Sequence, residues 1–346
     1  MPPERPLLTI AIPTYNRSTC LAQLLEALLP QLIDESRVEL MISDNSSEDD
    51  TPAIIKSFQG KGLKLTYRRN DTNIGSDANF LQCFEKASGK YMWLVGDDDI
   101  ILPGALSRIL PVLEAKEYAL VYLCPYSFRF DYIAERKTDK LGRFAQSMPN
   151  GLPFIRKVGT TIAFISAMII NKDRFAAARQ PDMKSLVGSN LMHLGWLLPA
   201  LGTGGTSLVV WERLVAARAG NSGGWGICRV FGDSLTKVLK ITLAGNEDIA
   251  AEVINRTLRN WFPSMIMEIR RATAGAMNNE DFRKSLEPLF NRNWRYWIYV
   301  FPVAALPYWA ARGWYMATQL QTRAGRLLAL ALTYPRWHSD LIWGSR

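Results

Sequence analysis

The 346-residue sequence is poor in cysteine and histidine, with four Cys at positions 20, 83, 124 and 228 and two His. None of the cysteines stands in a CxxC spacing, and Cys20, Cys83 and Cys124 lie in apolar runs. The pattern reads as reduced, buried thiols in a cytosolic compartment. Long hydrophobic runs are also missing. The most apolar stretch, Tyr296 to Ala311 (YWIYVFPVAALPYWAA), has 16 uncharged residues broken by Pro302 and Pro307, short of the roughly 20 that span a bilayer as a helix. The opening residues MPPERPLLTIAIPTYNR show no basic region followed by a long apolar stretch and a cleavage site, so no secretory signal is expected and the protein is expected to stay inside the cell. There is no internal repeat, heptad or low-complexity tract, and no Walker or strand-borne GxGxxG motif to suggest ATP or dinucleotide binding. With 48% hydrophobic and 21% charged residues, a largely disordered or fibrous chain is excluded.

What the chain does have is an uneven distribution of charge. It carries 41 Lys and Arg against 32 Asp and Glu, yet after residue 255 there are 13 basic residues and only five acidic ones, together with seven of the 11 Trp. The basic, Trp-rich end therefore differs in chemistry from the nearly neutral remainder. The first hundred residues alternate strand and helix signals, which predicts a mainly parallel sheet with helices on both faces. Leu7–Pro13, Val38–Ser43, Leu63–Tyr67 and Tyr91–Val95 read as strands. Leucines at spacings of three and four between Leu21 and Leu32 predict a helix with Ser18 as N-cap, and Thr51–Phe58 and Ser76–Lys86 predict two more. Further strands are expected at Ala119–Cys124 and Ile162–Ile170, with a loop or small insertion over 127–157 between them. An apolar helix carrying His193 is expected over 186–201, then a Gly-rich segment over 202–226 and helices over 233–290.

The sharpest local signal is Asp97-Asp98-Asp99 at the end of the fourth strand. Adjacent carboxylates repel one another unless a cation or a set of donors compensates. Oxygen ligands of this kind suit Mg²⁺ or Mn²⁺, held by one or two carboxylates plus the phosphate oxygens of a substrate; the bland alternative is a solvated acidic turn. Asp44 also closes a strand, and ligands of open α/β sheets bind outside the strand ends. Asp44, the acidic run and the turn Pro13-Thr14-Tyr15-Asn16 are therefore expected to converge on one crevice.

The stretches TIAIPTYNR, ISDNSSEDDT, NIGSDANF and YMWLVGDDDIILPGAL, in that order, resemble the N-terminal half of a family 2 glycosyltransferase. The resemblance covers residues 7–115 closely and fades to the level of the fold by about residue 230. It implies a GT-A fold, a nucleotide-sugar donor, a divalent cation (Mg²⁺ or Mn²⁺) and inversion at the anomeric carbon. It would line the nucleotide pocket with Pro13, Thr14, Tyr15 and Arg17, put Asp44 on the base, and set Asn73, Gly75 and Asn79 under the nucleotide and diphosphate. Asp98 falls on the family's metal-binding aspartate, with Asp99 taken as a second metal ligand and Asp97 as donor-binding. Gly96 stands where many members carry the first Asp of an Asp-x-Asp-Asp run, and the GDDD form is similar to that of the abequosyltransferase-like O-antigen branch. A second departure concerns the base: the stretch that commonly holds a Glu-Asp pair reads Gly188-Ser189-Asn190-Leu191-Met192-His193, without a carboxylate. His193 is the first substitute, since its unperturbed pKa lies near working pH, with Asp182 and Asp233 as rivals and a packed helix histidine as the alternative.

The Gly-rich segment from Arg218 to Gly226 reads either as a mobile acceptor-side loop, Trp225 stacking on a sugar or covering the donor, or as a plain linker. Phe231-Gly232-Asp233-Ser234-Leu235 spells the nucleophile block of GDSL-type hydrolases, but no DxxH accompanies it. The tail interleaves Arg292, Arg295, Arg312, Arg323 and Arg326 with Trp294, Trp297, Trp309 and Trp314, which favours interfacial attachment to a membrane over nucleic-acid binding; a helical subdomain or oligomer interface is the alternative. The expected organisation is a GT-A domain over residues 1–230 (1–115 nucleotide-sugar half, 116–230 acceptor-side half), a helical extension over 231–290 and a membrane-associating tail over 291–346. The expected activity is metal-dependent, inverting transfer of a sugar from a nucleotide donor to a polyprenyl-diphosphate-linked glycan at the cytoplasmic face of the inner membrane. No nucleic-acid partner is expected. A non-catalytic nucleotide- or glycan-binding protein and a basic membrane adaptor are the other readings.

Overall fold

Strand β1 (Leu8–Thr14) is buried along its whole length, with Leu8, Ile10 and Ile12 in the apolar layer on one face of the sheet and Ala11 in the layer on the other. A strand apolar on both sides needs cover on both, and the alternation of elements supplies it. The computed structural model describes residues 5–137, 142–220, 226–271, 280–333 and 341–343. After β1 come α1 (Ser18–Leu32), β2 (Val38–Asp44), α2 (Thr51–Gly60), β3 (Thr66–Arg69), α3 (Ser76–Lys86), β4 (Tyr91–Leu94), the short β5 (Ile100–Ile101) and α4 (Ala105–Ala115). The middle of the chain adds β6 (Leu120–Leu123), β7 (Tyr126–Phe128), β8 (Arg143–Pro149), α5 (Gly151–Val158), β9 (Met168–Asn171), α6 (Lys172–Ala177), α7 (Leu194–Gly202), β10 (Thr206–Val210) and β11 (Val215–Arg218). Helices α8 (Leu235–Thr242), α9 (Glu247–Arg256), α10 (Phe262–Arg270), α11 (Phe282–Phe290), α12 (Phe301–Ala305) and α13 (Tyr308–Thr333) follow, then β12 (Leu341–Trp343).

The main sheet has the order β12-β8-β10-β6-β9-β4-β1-β2-β3. Strands β3, β2, β1, β4, β6 and β10 run one way, and β9 and β8 run against them. The sheet is thus mostly parallel, as the sequence predicts. A small second sheet, β5-β11-β7, stands beside the carboxyl end of β4.

Several local expectations need correction. Residues 127–157 are not a loop throughout: β8 pairs antiparallel with β10, Ser147 opposite Leu208, and α5 follows it. The strand expected over 162–170 begins only at Met168, because residues 159–163 and 165–167 wind into 3-10 turns. The helix expected from 186 begins at Leu194 and leaves His193 at its N-cap. The Gly-rich segment contains β10 and β11. Arg17, not Ser18, is the N-cap of α1, and Ser18 N–H, which has no partner within the helix, donates to the Asp49 carboxylate at 2.8 Å.

One face of the sheet is covered by α1, α2 and α4 through Leu21, Leu25, Ile55 and Leu106. The other is covered by α3, α7 and the C-terminal helices, in a single apolar cluster that runs from Phe84 and Trp196 through Leu258 and Phe262 to Leu286, Tyr296 and Val300. Phe84 stacks on Trp196 at 4.6 Å between ring centres. Among the described residues no helix is long and apolar enough to cross a membrane. Pro302 starts α12 and Pro307 separates it from α13.

Candidate active site

At their carboxyl ends β1, β2 and β4 open into turns that are tied to one another. Asn16 and Ser46 hold left-handed backbone, φ 52° and 69°, a conformation that costs most residues energy and is favoured by Asn. Asn16 N–H donates to Ser47 Oγ at 3.0 Å, and Glu48 N–H donates back to Asn16 Oδ1 at 2.8 Å. Asn45 extends the web: its amide donates to Asn73 Oδ1 at 2.7 Å and its Oδ1 accepts from Asn70 and from Ile74 N–H. Gly75, at φ 85°, leads into α3. The result is a crevice of about 540 Å³ with Tyr15, Arg17, Asn45, Asp77, Asp98 and Asn190 among its walls.

The acidic run is held from two sides. Thr14 Oγ1 donates to Asp97 Oδ2 at 2.7 Å, and Arg17 Nη1 reaches Asp97 Oδ1 at 3.2 Å and Asp98 Oδ2 at 3.3 Å. Behind it, Ser166 Oγ donates to Asp99 Oδ2 at 2.5 Å and Arg218 N–H to Asp99 Oδ1 at 2.9 Å. The pairing of β11 with β5 puts Arg218 there. A Cβ at Gly96 would lie 3.0 Å from Asp98 Oδ1 and 3.3 Å from Asp99 Oδ2, so the run folds back over a residue that has no side chain. That is a physical reason for glycine at this position. Burial raises the Asp97 carboxyl to about 6 against the pull of Arg17, and burial together with the charge of Asp98 raises Asp99 to about 7. This is a turn of three adjacent carboxylates held by Thr14 and Arg17 on one side and by Ser166 and Arg218 on the other.

Of the residues singled out in the sequence, Pro13, Thr14, Tyr15, Arg17, Asn73, Gly75, Asn79, Asp97 and Asp98 line the crevice. Asp44 does not. It is fully buried, accepting from the Tyr67 hydroxyl at 2.6 Å and from Ser47 N–H at 2.8 Å, with the Arg69 guanidinium at 3.6 Å. The neighbouring Asn45 takes its place on the wall. Asp99 also lies behind the crevice, both oxygens bonded. Trp225 is outside the described residues.

None of the three carriers considered for the base stands at the crevice. Asp182 caps a 3-10 turn and lines a separate cleft with Arg179, Pro199 and Asn246. Asp233 is half-exposed and pairs with Lys237 at 2.7 Å, while Ser234 beside it is buried in a helical turn. His193 is packed among Met92, Leu94, Met168 and Trp196, its Nε2 2.8 Å from the carbonyl of Ala163. Facing a carbonyl, Nε2 carries the proton, and burial lowers the pKa from 6.5 to about 4. The unfolded chain therefore protonates first. His193 contributes stability that is complete above about pH 6.5 and is lost toward pH 4, by at most about 1.4 kcal/mol per pH unit. His193→Gln, which keeps a donor to the carbonyl, is expected to flatten that limb of a denaturant stability–pH curve and to leave nucleotide binding intact; an unchanged limb would assign the dependence elsewhere.

Three wall or support residues escaped the sequence reading: Asn45, Asp77 and Arg218. Asp77 sits inside the stretch NIGSDANF between Gly75 and Asn79, and it is its burial, to 4% exposure, that sets it apart. Asn190, at φ 60°, lies in the loop noted only for lacking a carboxylate.

Residues 9–173, which build most of this crevice, match the family described as glycosyl transferase family 2. They are a family 2 glycosyltransferase domain. Over 228 residues the chain is 28% identical to the abequosyltransferase RfbV of Salmonella typhimurium, covering 62% of this chain and 67% of that protein. It is 30% identical over 106 residues to the GalNAc(5)-diNAcBac-PP-undecaprenol beta-1,3-glucosyltransferase of Campylobacter jejuni, covering 30% of this chain and 34% of that one. The chain thus spans about two thirds of the first relative's length and about one third of the second's. Among solved structures, S. aureus TarS 1–349 in complex with UDP-GlcNAc superposes with a TM-score of 0.60 at 16% identity, over 92% of both chains. The transferase domain has the GT-A fold, its crevice at the carboxyl ends of the parallel strands.

Proposed function

We propose that the chain transfers a sugar, with inversion, from a nucleoside diphosphate donor to a lipid-linked glycan in the synthesis of a bacterial surface polysaccharide. The observation that carries this reading is the crevice itself: an acidic run beside Arg17 and an asparagine-rich wall, on a family 2 glycosyltransferase domain. The names of the two relatives, one an abequosyltransferase and one acting on a PP-undecaprenol glycan, support the acceptor class.

The donor set fits a hard divalent cation. Asp98 keeps 16% of its side chain exposed on the wall. Among the described residues no three His, Cys, Asp or Glu side chains form a metal cluster; an ion here would be held by one or two carboxylates with the other positions left to phosphate oxygens, as Mg²⁺ and Mn²⁺ accept. Asp98 would hold the ion, with Asp97 beside it, and the bound ion would supply neutralisation of the leaving diphosphate. Arg17 adds a fixed positive charge at the same place. Tyr15 and Asn45 flank the nucleotide, and Asn73 and Gly75 form the floor before α3. Calorimetry with UDP, GDP, CDP and dTDP, in Mn²⁺ and in EDTA, is expected to show metal-dependent binding of one nucleotide. Binding of none would defeat the reading.

The C-terminal helices would hold this crevice at the cytoplasmic face of the inner membrane as a peripheral attachment. Trp309 is 78% exposed and Leu320 64%, with Trp294, Trp314 and Met316 exposed near Arg292 and Arg312, a surface that suits an anionic interface. The protein is expected to sediment with phosphatidylglycerol vesicles, and Trp309→Ser/Trp314→Ser to do so about tenfold less. Indifference of the wild type to vesicles would make this surface an interface between copies.

A further inference from the structure

The loop 188–191 reaches the crevice through Asn190 and Leu191 and has no acid of its own, yet a carboxylate is bonded to it. Asp77, on the first turn of α3, lines the crevice and is 4% exposed. Its Oδ2 accepts from the backbone N–H of Gly188 at 2.8 Å and of Asn190 at 2.9 Å. Both residues have left-handed backbone, φ 89° and 60°, so the loop is bent about this contact. The other oxygen, Oδ1, is equally buried and has no hydrogen-bond partner among the described residues. An acceptor left bare in this way is costly, and at a crevice wall a hydroxyl of a bound substrate would satisfy it.

The remaining carboxylates on the crevice wall are committed elsewhere. Asp97 is bonded by Thr14 and Arg17, and Asp98 faces Arg17. We propose that Asp77 is the proton acceptor of the transfer reaction, an inference that rests on the function proposed above. The acceptor's hydroxyl oxygen bonds to the anomeric carbon as the bond from that carbon to the donor's phosphate oxygen breaks. The electron pair leaves with the nucleoside diphosphate, and the hydroxyl proton passes to Asp77 Oδ1. Two N–H bonds on Oδ2 fix the carboxylate, so that one oxygen is structural while the other, buried and unbonded among the described residues, has no hydrogen bond to give up when a substrate hydroxyl enters beside it. Burial, opposed by the backbone N–H groups of Asn190, Gly188, Met192 and Ser189, lifts the carboxyl above its ordinary value, which strengthens it as a base.

The test is nucleoside diphosphate release from UDP-, GDP-, CDP- and dTDP-sugars, with a synthetic polyprenyl-diphosphate saccharide as acceptor. Asp77→Asn keeps an acceptor oxygen for Gly188 and Asn190 and removes the basic one. Its kcat is expected to fall at least about a hundredfold, while nucleotide binding by calorimetry and the melting temperature stay at wild-type values. Turnover within threefold of wild type would overturn the inference, and so would a parallel loss of nucleotide binding or melting temperature, which marks a loop anchor. A second variant, Asp77→Ala, is read with and without formate. Formate-restored turnover supports the assignment; turnover that stays lost in a protein still binding nucleotide overturns it. Wild-type protein that turns over no donor would overturn both this inference and the function beneath it, whereas a wild type that transfers beside an active Asp77→Asn overturns the inference alone.

Discussion

Asp98→Ala is expected to lower sugar transfer about a thousandfold, roughly 4 kcal/mol of transition-state stabilisation. Asp97 and Asp98 both stand on the crevice wall, whereas Asp99 is bonded on both oxygens from behind; of the two, Asp98 keeps the more exposed side chain, 16% against 6%, and Asp97 is also bonded by Thr14. Removing it leaves those contacts in place. The variant should therefore fold and lose the carboxylate offered to the cation. The decisive readout is the difference between calorimetric titrations in Mn²⁺ and in EDTA: large for the wild type, abolished in Asp98→Ala. Full transfer by the variant at saturating metal would take the metal role away from Asp98. Asp98→Asn, which keeps the shape, should resemble alanine more than aspartate, because charge is the property in use.

The second large effect is on stability. Trp93→Ala is expected to cost about 3–5 kcal/mol, the range for deleting a buried aromatic side chain. Trp93 is fully buried in β4, three residues before Gly96. Its Nε1 donates to the carbonyl of Ser166 at 2.8 Å, and the Ser166 hydroxyl in turn accepts from Gly96 N–H at 2.9 Å and donates to Asp99. The indole thus braces the residue that braces the acidic turn. Trp93→Phe separates the two contributions: it retains most of the volume and strips the carbonyl of its donor, an expected loss of about 1–3 kcal/mol. Midpoints of denaturant unfolding measure both. A Trp93→Phe protein as unstable as Trp93→Ala would mean that the hydrogen bond carries nearly all of the effect.

The parallel strands were legible because burial on both faces leaves short apolar runs such as Leu8 to Ile12, each ending in a turn. The acidic run was legible because charge at the end of such a strand needs a reason. What could not be read locally depends on partners distant in sequence. Strand β8 is polar enough to pass for a loop until β10, about sixty residues on, pairs with it. Asp44 and Asn45 are adjacent and both buried, and Asp44 is kept off the crevice by the Tyr67 hydroxyl, Ser47 N–H and Arg69, two of which lie more than twenty residues away in sequence. His193 lies at the N-cap of α7, not within it, and its ring packs in the interior among residues from β4 and β9 that are distant in sequence. Asp77 looks like an ordinary acid in the first turn of a helix, and nothing nearby in sequence announces that residues 188–190 close over it.

The family match ends at residue 173, yet the face of the sheet made by Ala11, Met92 and Leu94 belongs to the same apolar cluster as Phe262, Leu286 and Tyr296. The catalytic half is therefore not an independent module that can be fitted with a different C-terminal part at will. Any exchange of the segment after residue 230 with that of a relative replaces the lining of the sheet as well as whatever it recognises. Divergence in that segment is consequently restrained by packing, and a change in its buried face calls for compensating changes beneath α3 and α7.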